Sequence, residues 1–511
     1  MNYDSKRSQE QPQEALESSE SGRNITVQNK TQQEDKTPGA SQSSRLVELV
    51  HSLGATLFRT SDKDVYAVLS VNGHHEVQNL SSSPFRDFIT RIAYRETKKT
   101  PTEQAIAEAV RVLRGEALYD PDSPAHEVHV RVAKNGDKVY VDLANDDWQV
   151  VEIDANGWRI LDQSPVMFVR SNTTMPLPQP ERHGDLSAIR NLVNCGTDDD
   201  FLLICGWIVG AFNPTGPFPI LCLHGQQGSG KSSTCKFLKK LIDNSKTPLR
   251  GFPRNELDLW ISAKHCHVLS YDNASEIKDW LSDSLCQIST GGGYAVRAHY
   301  QNDEEHVFNA TKPILVNGIP DAAVRSDLVD RSMILHLPRI EARQRLTEIQ
   351  LSERSERSFP MIMGAVFDAV SKAIRNLNDT HLSDRCRMAD FEKWVTAAGL
   401  GGDFSAAYRR NRNEVNSTIV ESSPLASAIV TLLTKIDRFE GTASKLQTTL
   451  AEYFSGQSHP SWLKNSQTLS GELRRISPNL ARVGIEVDRE CGRDTFNCRL
   501  LTIARTSQID R

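Results

Sequence analysis

The chain of 511 residues has no Cys-x-x-Cys pair, no apolar stretch at its start, and no apolar run long enough to cross a bilayer. Its nine cysteines are odd in number and dispersed. That excludes a small disulfide scaffold and argues for reduced thiols in an intracellular, cytoplasmic setting. The opening MNYDSKRSQE is no secretory signal. The longest greasy run, Phe201 to Phe212, falls short of the ~20 residues a spanning helix needs and reads as a buried helix. No membrane partner is expected. Excess positive charge is missing too: Lys+Arg 60 against Asp+Glu 65 leaves −5, so any nucleic-acid contact must rest on a local patch. Metal-ligand clustering is confined to His265, Cys266 and His267, which alternate along an apparent strand. Zinc there would need further ligands.

What is present divides the chain into segments. Residues 1–45 hold only seven apolar side chains and read as a disordered tail. Residues 46–165 read as an α+β accessory domain. Thr100-Pro101-Thr102-Glu103 predicts a helix start with Thr100 as N-cap, and Asn135-Gly136 and Asn156-Gly157 predict hairpins. No primase-type acid pair appears, because Asp142 is followed two residues on by Ala144. Residues 166–340 alternate helical stretches with the short apolar strands ILCLH, HVLSYD, PILVNG and MILHLP, an α/β pattern with a parallel sheet. Residues 341–420 read as a helical lid or linker. Residues 421–511 read as helix-helix-helix-strand-strand, with Pro478 closing the third helix.

Gly225-Gln226-Gln227-Gly228-Ser229-Gly230-Lys231-Ser232 fits G-x-x-x-x-G-K-[ST] in full, between an apolar strand and the helical run that begins at Ser232-Ser233. Glycines let successive backbone N–H groups turn inward around phosphates, and the helix N-terminus adds its positive dipole end. The motif therefore predicts an ATP site, with Lys231 on the phosphates and the Ser232 hydroxyl on Mg²⁺. Forty-one residues beyond Lys231, HVLSYD ends in Asp272, the acid expected to complete the magnesium site. Asn273 follows where many ATPases carry Glu, which leaves the general base between Asp272, acting through a bound water, and Glu276. Forty-five residues further on, Asn317 ends another strand and is placed to orient the attacking water; fourteen later comes Arg331, a candidate arginine finger for a neighbouring subunit. The competing reading of Arg331 is an intrachain salt bridge with Asp327 or Asp330. Arg325 is a weaker finger candidate.

The series GQQGSGKSS, LSYDN, ISTGGGYAVRAHYQNDEEHVFNATKPILVNG and DLVDRSMILHLP resembles superfamily 3 helicase-type AAA+ ATPases, in particular the primase-helicase and ATPase proteins of phages, plasmids and integrated mobile elements. The likeness is strong over residues 200–340 and weaker to about 505. It implies a ring, expected to be hexameric, and a β-hairpin between the Walker B and Asn strands that grips DNA. Here that hairpin is Thr290 to Thr311, with Gly291-Gly292-Gly293 as a flexible entry, QND at the tip, and Arg297, His299 and Tyr300 as contacts. The acidic Asp303-Glu304-Glu305 runs against the backbone-binding role of the tip.

Residues 461–505 carry eight Lys+Arg and five Asp+Glu, a local +3 in a chain that is otherwise −8. Helices followed by two strands around RECGRD look like a winged helix. That places Lys464, Gln467, Thr468, Arg474 and Arg475 on a recognition helix and Arg489 and Arg493 on the wing. The expectation is an ATP-hydrolysing DNA helicase or translocase of mobile-element replication. The alternative is an AAA+ regulator or defence component that binds DNA or protein without unwinding. A small-molecule P-loop kinase is disfavoured by the extra architecture.

Overall fold

The computed structural model describes residues 41–511 apart from 72, 274–276, 298–304, 319–325, 384–385, 453–464, 490–491, 494–498 and 507–511. The chain forms two compact units, one of Val65–Ser123 with the segment up to Leu57, the other of Phe58–Asp64 with Pro124–Arg511.

In the first unit, helices Gln42–Ser52, Ser83–Thr97 and Glu103–Tyr119 pack with the antiparallel pair Val65–Val71 and His74–Asn79. Their core includes Val50, Leu69, Phe85, Ile89, Ile106 and Leu113. Two expectations shift here. The expected tail to residue 45 overlaps a helix that Ser41 caps, its side chain accepting from Ser44 N. The third helix is capped by Thr102, which accepts from Ala105 N, and not by Thr100. Pro101 thus stands before the N-cap.

The accessory domain expected to run to 165 ends early. The hairpin strands Val132–Asn135, Lys138–Asp142, Val150–Asp154 and Gly157–Leu161 form a four-stranded sheet in the second unit. That sheet's apolar face (Val139, Val141, Val151, Ile153, Trp158) is covered by the long helix Glu348–Asn376, in one core with the helix Asp198–Gly210. Trp158 sets its ring edge-on against Phe367 and donates to Asp368 Oδ1 at 3.0 Å. A one-sided sheet must bury that face, and the expected "lid" helices supply the cover. Asp142 is buried against Arg170 at 2.6 Å.

The central sheet is parallel. Strands β1 (Ile220–His224), β2 (Leu269–Tyr271), β3 (Ile314–Asn317) and β4 (Ser332–His336) lie in the order β2-β3-β1-β4. Apart from His224, Ile334 and His336 their residues are buried, as a sheet covered on both faces requires. Helix α1 (Lys231–Asp243) leaves the loop after β1. At its far end Asp243, Lys239 and Arg131 form a buried charge cluster, with Lys239 Nζ at 2.6 Å and Arg131 Nε at 3.2 Å from the carboxylate. His267 N and Val268 N also donate to it. Burial alone raises the Asp243 carboxyl, but the charges of Lys239 and Arg131 hold it below the ordinary range. His267 is buried with Nε2 2.7 Å from Ala211 O, and burial with the nearby Lys312 lowers it to about 3.

Residues 424–505 have a core of their own. Helix Pro424–Leu432, strand Arg438–Thr442, helices Ala443–Ala451 and Ser466–Arg482, then strands Ile485–Asp488 and Leu500–Arg505 follow in order. The Leu500 strand is central, antiparallel to both others. The strand Arg438–Thr442 is absent from the sequence expectation, and Pro478 lies inside its helix instead of ending it. This module packs on helix Phe404–Ser422, whose Val420 joins its core, and on Asp330, which is 9% exposed, receives Arg482 Nη2 and lies 3.7 Å from Arg412 Nη2.

Candidate functional site

The site forms where β1, β2 and β3 end. The first strand of the sheet is central, so successive connections leave on opposite sides and open a crevice at the carboxyl ends. The loop Gly225–Gly230 occupies it. Gly225 has φ 149°, and a Cβ there would lie 2.5 Å from Leu337 O; Gly228 and Gly230 have φ 83° and 84°. The tight path thus depends on glycine at these positions. Gly230 is the N-cap of α1 and offers no side-chain cap, so the helix start is left for an outside acceptor. Gln226 and Gln227 are exposed, whereas Ser229 is buried with its hydroxyl unpartnered among the described residues. Lys231 Nζ donates to Gly225 O at 2.7 Å and Gln226 O at 3.1 Å. Ser233 is half-buried in the first turn of α1.

Three residues far apart in sequence meet beside the loop. Ser232 Oγ donates to Asp272 Oδ1 at 3.3 Å, and Asn317 Nδ2 donates to Ser232 Oγ at 2.9 Å and also to Asp272 Oδ1. The parallel registers Leu223↔Asn317 and Tyr271↔Val316 bring their strand ends level. Asn273, next along, is exposed and left-handed at φ 56°, a conformation Asn tolerates. Glu276 lies outside the described residues. The donor set suits a magnesium nucleotide: a hydroxyl and a carboxylate are hard oxygen ligands, and at Gly225 the backbone runs too close to Leu337 O for a Cβ.

Arg331 sits at the other end of the sheet. β1 and β4 are in register from Ile220↔Ser332 to His224↔His336, so Arg331 precedes the strand while the loop follows it, roughly 16 Å away along five residues. Its Nη1 donates to Asp327 O at 2.8 Å, and its Nε is buried without a partner among the described residues. Of the two salt-bridge partners in the competing reading, Asp330 is not engaged, because that carboxylate is taken by Arg412 and Arg482. Arg325 lies outside the described residues.

Sequence reading missed the strap over the loop. Ile340 N donates to Gly228 O at 3.2 Å, Leu337 N to His224 O at 2.8 Å, and Asn194 Nδ2 to Ser229 O at 3.0 Å. The Arg345 guanidinium lies 2.7 Å from where a Gly228 Cβ would stand. No local motif marks these residues.

The hairpin is present as Gly292–Arg297 paired antiparallel with Glu305–Ala310. Gly292 and Gly293 belong to the strand and are not a flexible entry; a Cβ on Gly293 would meet Asn309 Oδ1 at 2.6 Å. Tyr294 stacks on Trp260 at 6.0 Å, which anchors the hairpin base. His299 and Tyr300 lie outside the described residues, and of Arg297 only the backbone position is described. His265, Cys266 and His267 do not gather: His265 ends the helix Glu256–His265 and Cys266 caps it.

In the C-terminal module, Gln467, Thr468, Arg474 and Arg475 are exposed on helix Ser466–Arg482, opposite the buried Leu469, Leu473, Ile476 and Leu480. Arg475 pairs with Glu472 at 2.7 Å. Burial, with the positive charges of Arg474 and Arg499, lowers Arg489, which follows the strand Ile485–Asp488. Arg493 is exposed and bridges to Arg499. Lys464 lies outside the described residues. Arg499 was not among the sequence candidates; it becomes visible only once the strands pair.

Residues 186–417 match the family model described as the actinomycete integrative conjugative element replication protein, and residues 425–511 match the AICE RepA C-terminal domain. Together these are more than half of the chain. The chain belongs to this family of mobile-element replication proteins. The family's two matched segments meet at the Asp330 contact described above. No curated protein matches the chain in sequence. Among solved structures, it is similar to the apo structure of the NrS-1 C-terminal region at 11% identity and TM-score 0.42, over 91% of this chain and 100% of that one. It is similar too to the A form apo structure of that region at 11% identity and TM-score 0.43, over 90% and 99%. No helix among the described residues is long and apolar enough to cross a membrane.

Proposed function

We propose that this replication protein is an ATP-hydrolysing DNA helicase or translocase, built on a P-loop AAA+ core of superfamily 3 type with a C-terminal winged helix. The observation that carries the reading is the meeting of Ser232, Asp272 and Asn317 beside a glycine loop at the ends of three adjacent parallel strands. In this reading the loop N–H groups and the start of α1 bind the phosphates, and Lys231 exchanges the Gly225 and Gln226 carbonyls for phosphate oxygens. When bound, a magnesium ion supplies positive charge to those oxygens; Ser232 and Asp272 are the residues that would hold it. Asn317 fixes the Asp272 carboxylate and orients the attacking water. Arg331, remote from its own loop, serves the site of an adjacent subunit in a ring, for which a hexamer is the expected form. The order helix-strand-helix-helix-strand-strand of residues 424–505 supports the winged helix, with the exposed Arg474 and Arg499 as its phosphate contacts.

The test is strand displacement on a forked duplex with ATP and Mg²⁺, alongside ATP turnover. Unwinding that fails with Lys231→Ala supports the helicase. DNA-stimulated turnover without displacement supports the non-unwinding regulator. Absence of ATP turnover by the wild-type chain on any DNA overturns the ATPase itself.

A further inference from the structure

Neither family match reaches the first unit, and its helix Ser83–Thr97 carries an unusual exposed face. Phe85, Ile89, Ile92 and Ala93 are buried on one side. On the opposite side Arg91, Tyr94, Arg95 and Lys98 are all exposed, at spacings of three and four residues, which stack side chains on one face of a helix. The Tyr94 ring is 52% exposed. Among the described residues, Arg91, Arg95 and Lys98 form no ion pair, although Asp87 stands one turn before Arg91. Like charges at these spacings repel and weaken the helix. Cations near a helix C-terminus gain something from the dipole, but that gain asks for one or two charges and not for an exposed tyrosine between them. Lys98 even takes a left-handed φ of 57° at the C-cap. An aromatic ring set among three unneutralised cations is the combination that binds a phosphate backbone while a base stacks.

We propose that this face of helix Ser83–Thr97 binds single-stranded DNA, with Arg91, Arg95 and Lys98 on phosphates and Tyr94 under a base. The inference is independent of the ATPase reading and of the C-terminal arginine cluster. A base can reach an exposed ring only when unpaired, which is why the partner is single-stranded rather than duplex.

The experiment uses the full chain, a fluorescein-labelled thymidine oligonucleotide and a mixed-sequence duplex, titrated across a salt series. The triple variant Arg91→Glu/Arg95→Glu/Lys98→Glu should weaken oligonucleotide binding at least about tenfold. The slope of log affinity on log salt should fall by roughly 2, since each single-strand phosphate contact contributes about 0.7. Tyr94→Ala should weaken oligonucleotide binding about fivefold or more with an unchanged slope, and Tyr94→Phe should restore it, because stacking needs the ring and not the hydroxyl. All four side chains point to solvent, so the fold should survive, with only a small drop in melting temperature from acidic charges at the helix end, and the Tyr94 pair supplies a test free of charge change. Unchanged affinity and slope in the triple variant would overturn the proposal. Equal losses on duplex and oligonucleotide would overturn its single-strand assignment.

Discussion

The loop site and the proposed DNA-facing surfaces of this protein are built on opposite terms. Ser232, Asp272 and Asn317 are held by strand registers and by one another, in a crevice whose backbone tolerates glycine alone at Gly225. Gln467, Thr468, Arg474 and Arg475 stand on an exposed helix face whose opposite side does all the packing. Position in the first region is fixed by many neighbours, and in the second by helical period alone. A substitution in the first should therefore change chemistry steeply, and one in the second should change affinity by increments.

The sharpest break of that contrast is Arg331, which is exposed to neither rule. Arg331→Ala should lower ATP turnover by about three to five orders of magnitude if it acts as a finger. Lys231→Ala should be similarly inactive. Co-expressed in one oligomer, the two should partly rescue each other, because some interfaces join an intact Lys231 to an intact Arg331. No rescue in confirmed mixed oligomers, with wild type losing activity only in proportion to added Arg331→Ala subunits, would assign Arg331 to its own chain. Next in size, Asn317→Ala should reduce turnover about a hundredfold by releasing Asp272 and Ser232, with nucleotide affinity changed far less; fluorescent-nucleotide binding beside turnover makes the separation. Arg474→Glu with Arg499→Glu should weaken duplex binding about tenfold and flatten its salt dependence while basal turnover stays. The last effect concerns pH and stability rather than turnover or DNA. His267 is neutral when folded and titrates at about 3 there, against about 6.5 in an unfolded chain. Between those values the unfolded state binds the extra proton. Stability should then rise with pH over that window and fall on acidification below about 6.5, by at most about 1.4 kcal/mol per pH unit. Melting curves of His267→Gln should be flatter over pH 4–6.5 than wild type.

The motif spacing made the loop site legible because its residues carry backbone chemistry: glycines that turn, a strand that ends in Asp, a strand that ends in Asn. The four strands of the sheet were equally plain from their apolar runs. What stayed hidden depended on partners distant in sequence. Nothing near residue 165 announces that Trp158 packs on Phe367, so the domain boundary was misplaced. The strand Arg438–Thr442 reads as RFEGT, with one buried aromatic and a glycine, and only pairing with Leu500–Arg505 makes it a strand. Pro478 looked like a stop because the sequence does not show where the helix ends, yet Leu480 is buried beyond it. Arg345 and Asn194 reach the loop from segments with no signature of their own.

The carboxylate of Asp330 has a consequence for how this protein's modules are inherited. One of its arginines, Arg412, comes from the segment matched at 186–417, and the other, Arg482, from the segment matched at 425–511. Exchanging the C-terminal module for one without an arginine at that place would leave a nearly buried anion with a single partner 3.7 Å away, and breaking a buried pair in this way costs about 3–5 kcal/mol. The graft would succeed only with a second change, Asp330→Asn or a smaller neutral residue. The two segments are separable as folds but not as heritable parts, and one residue that joins them is the immediate chain neighbour of Arg331.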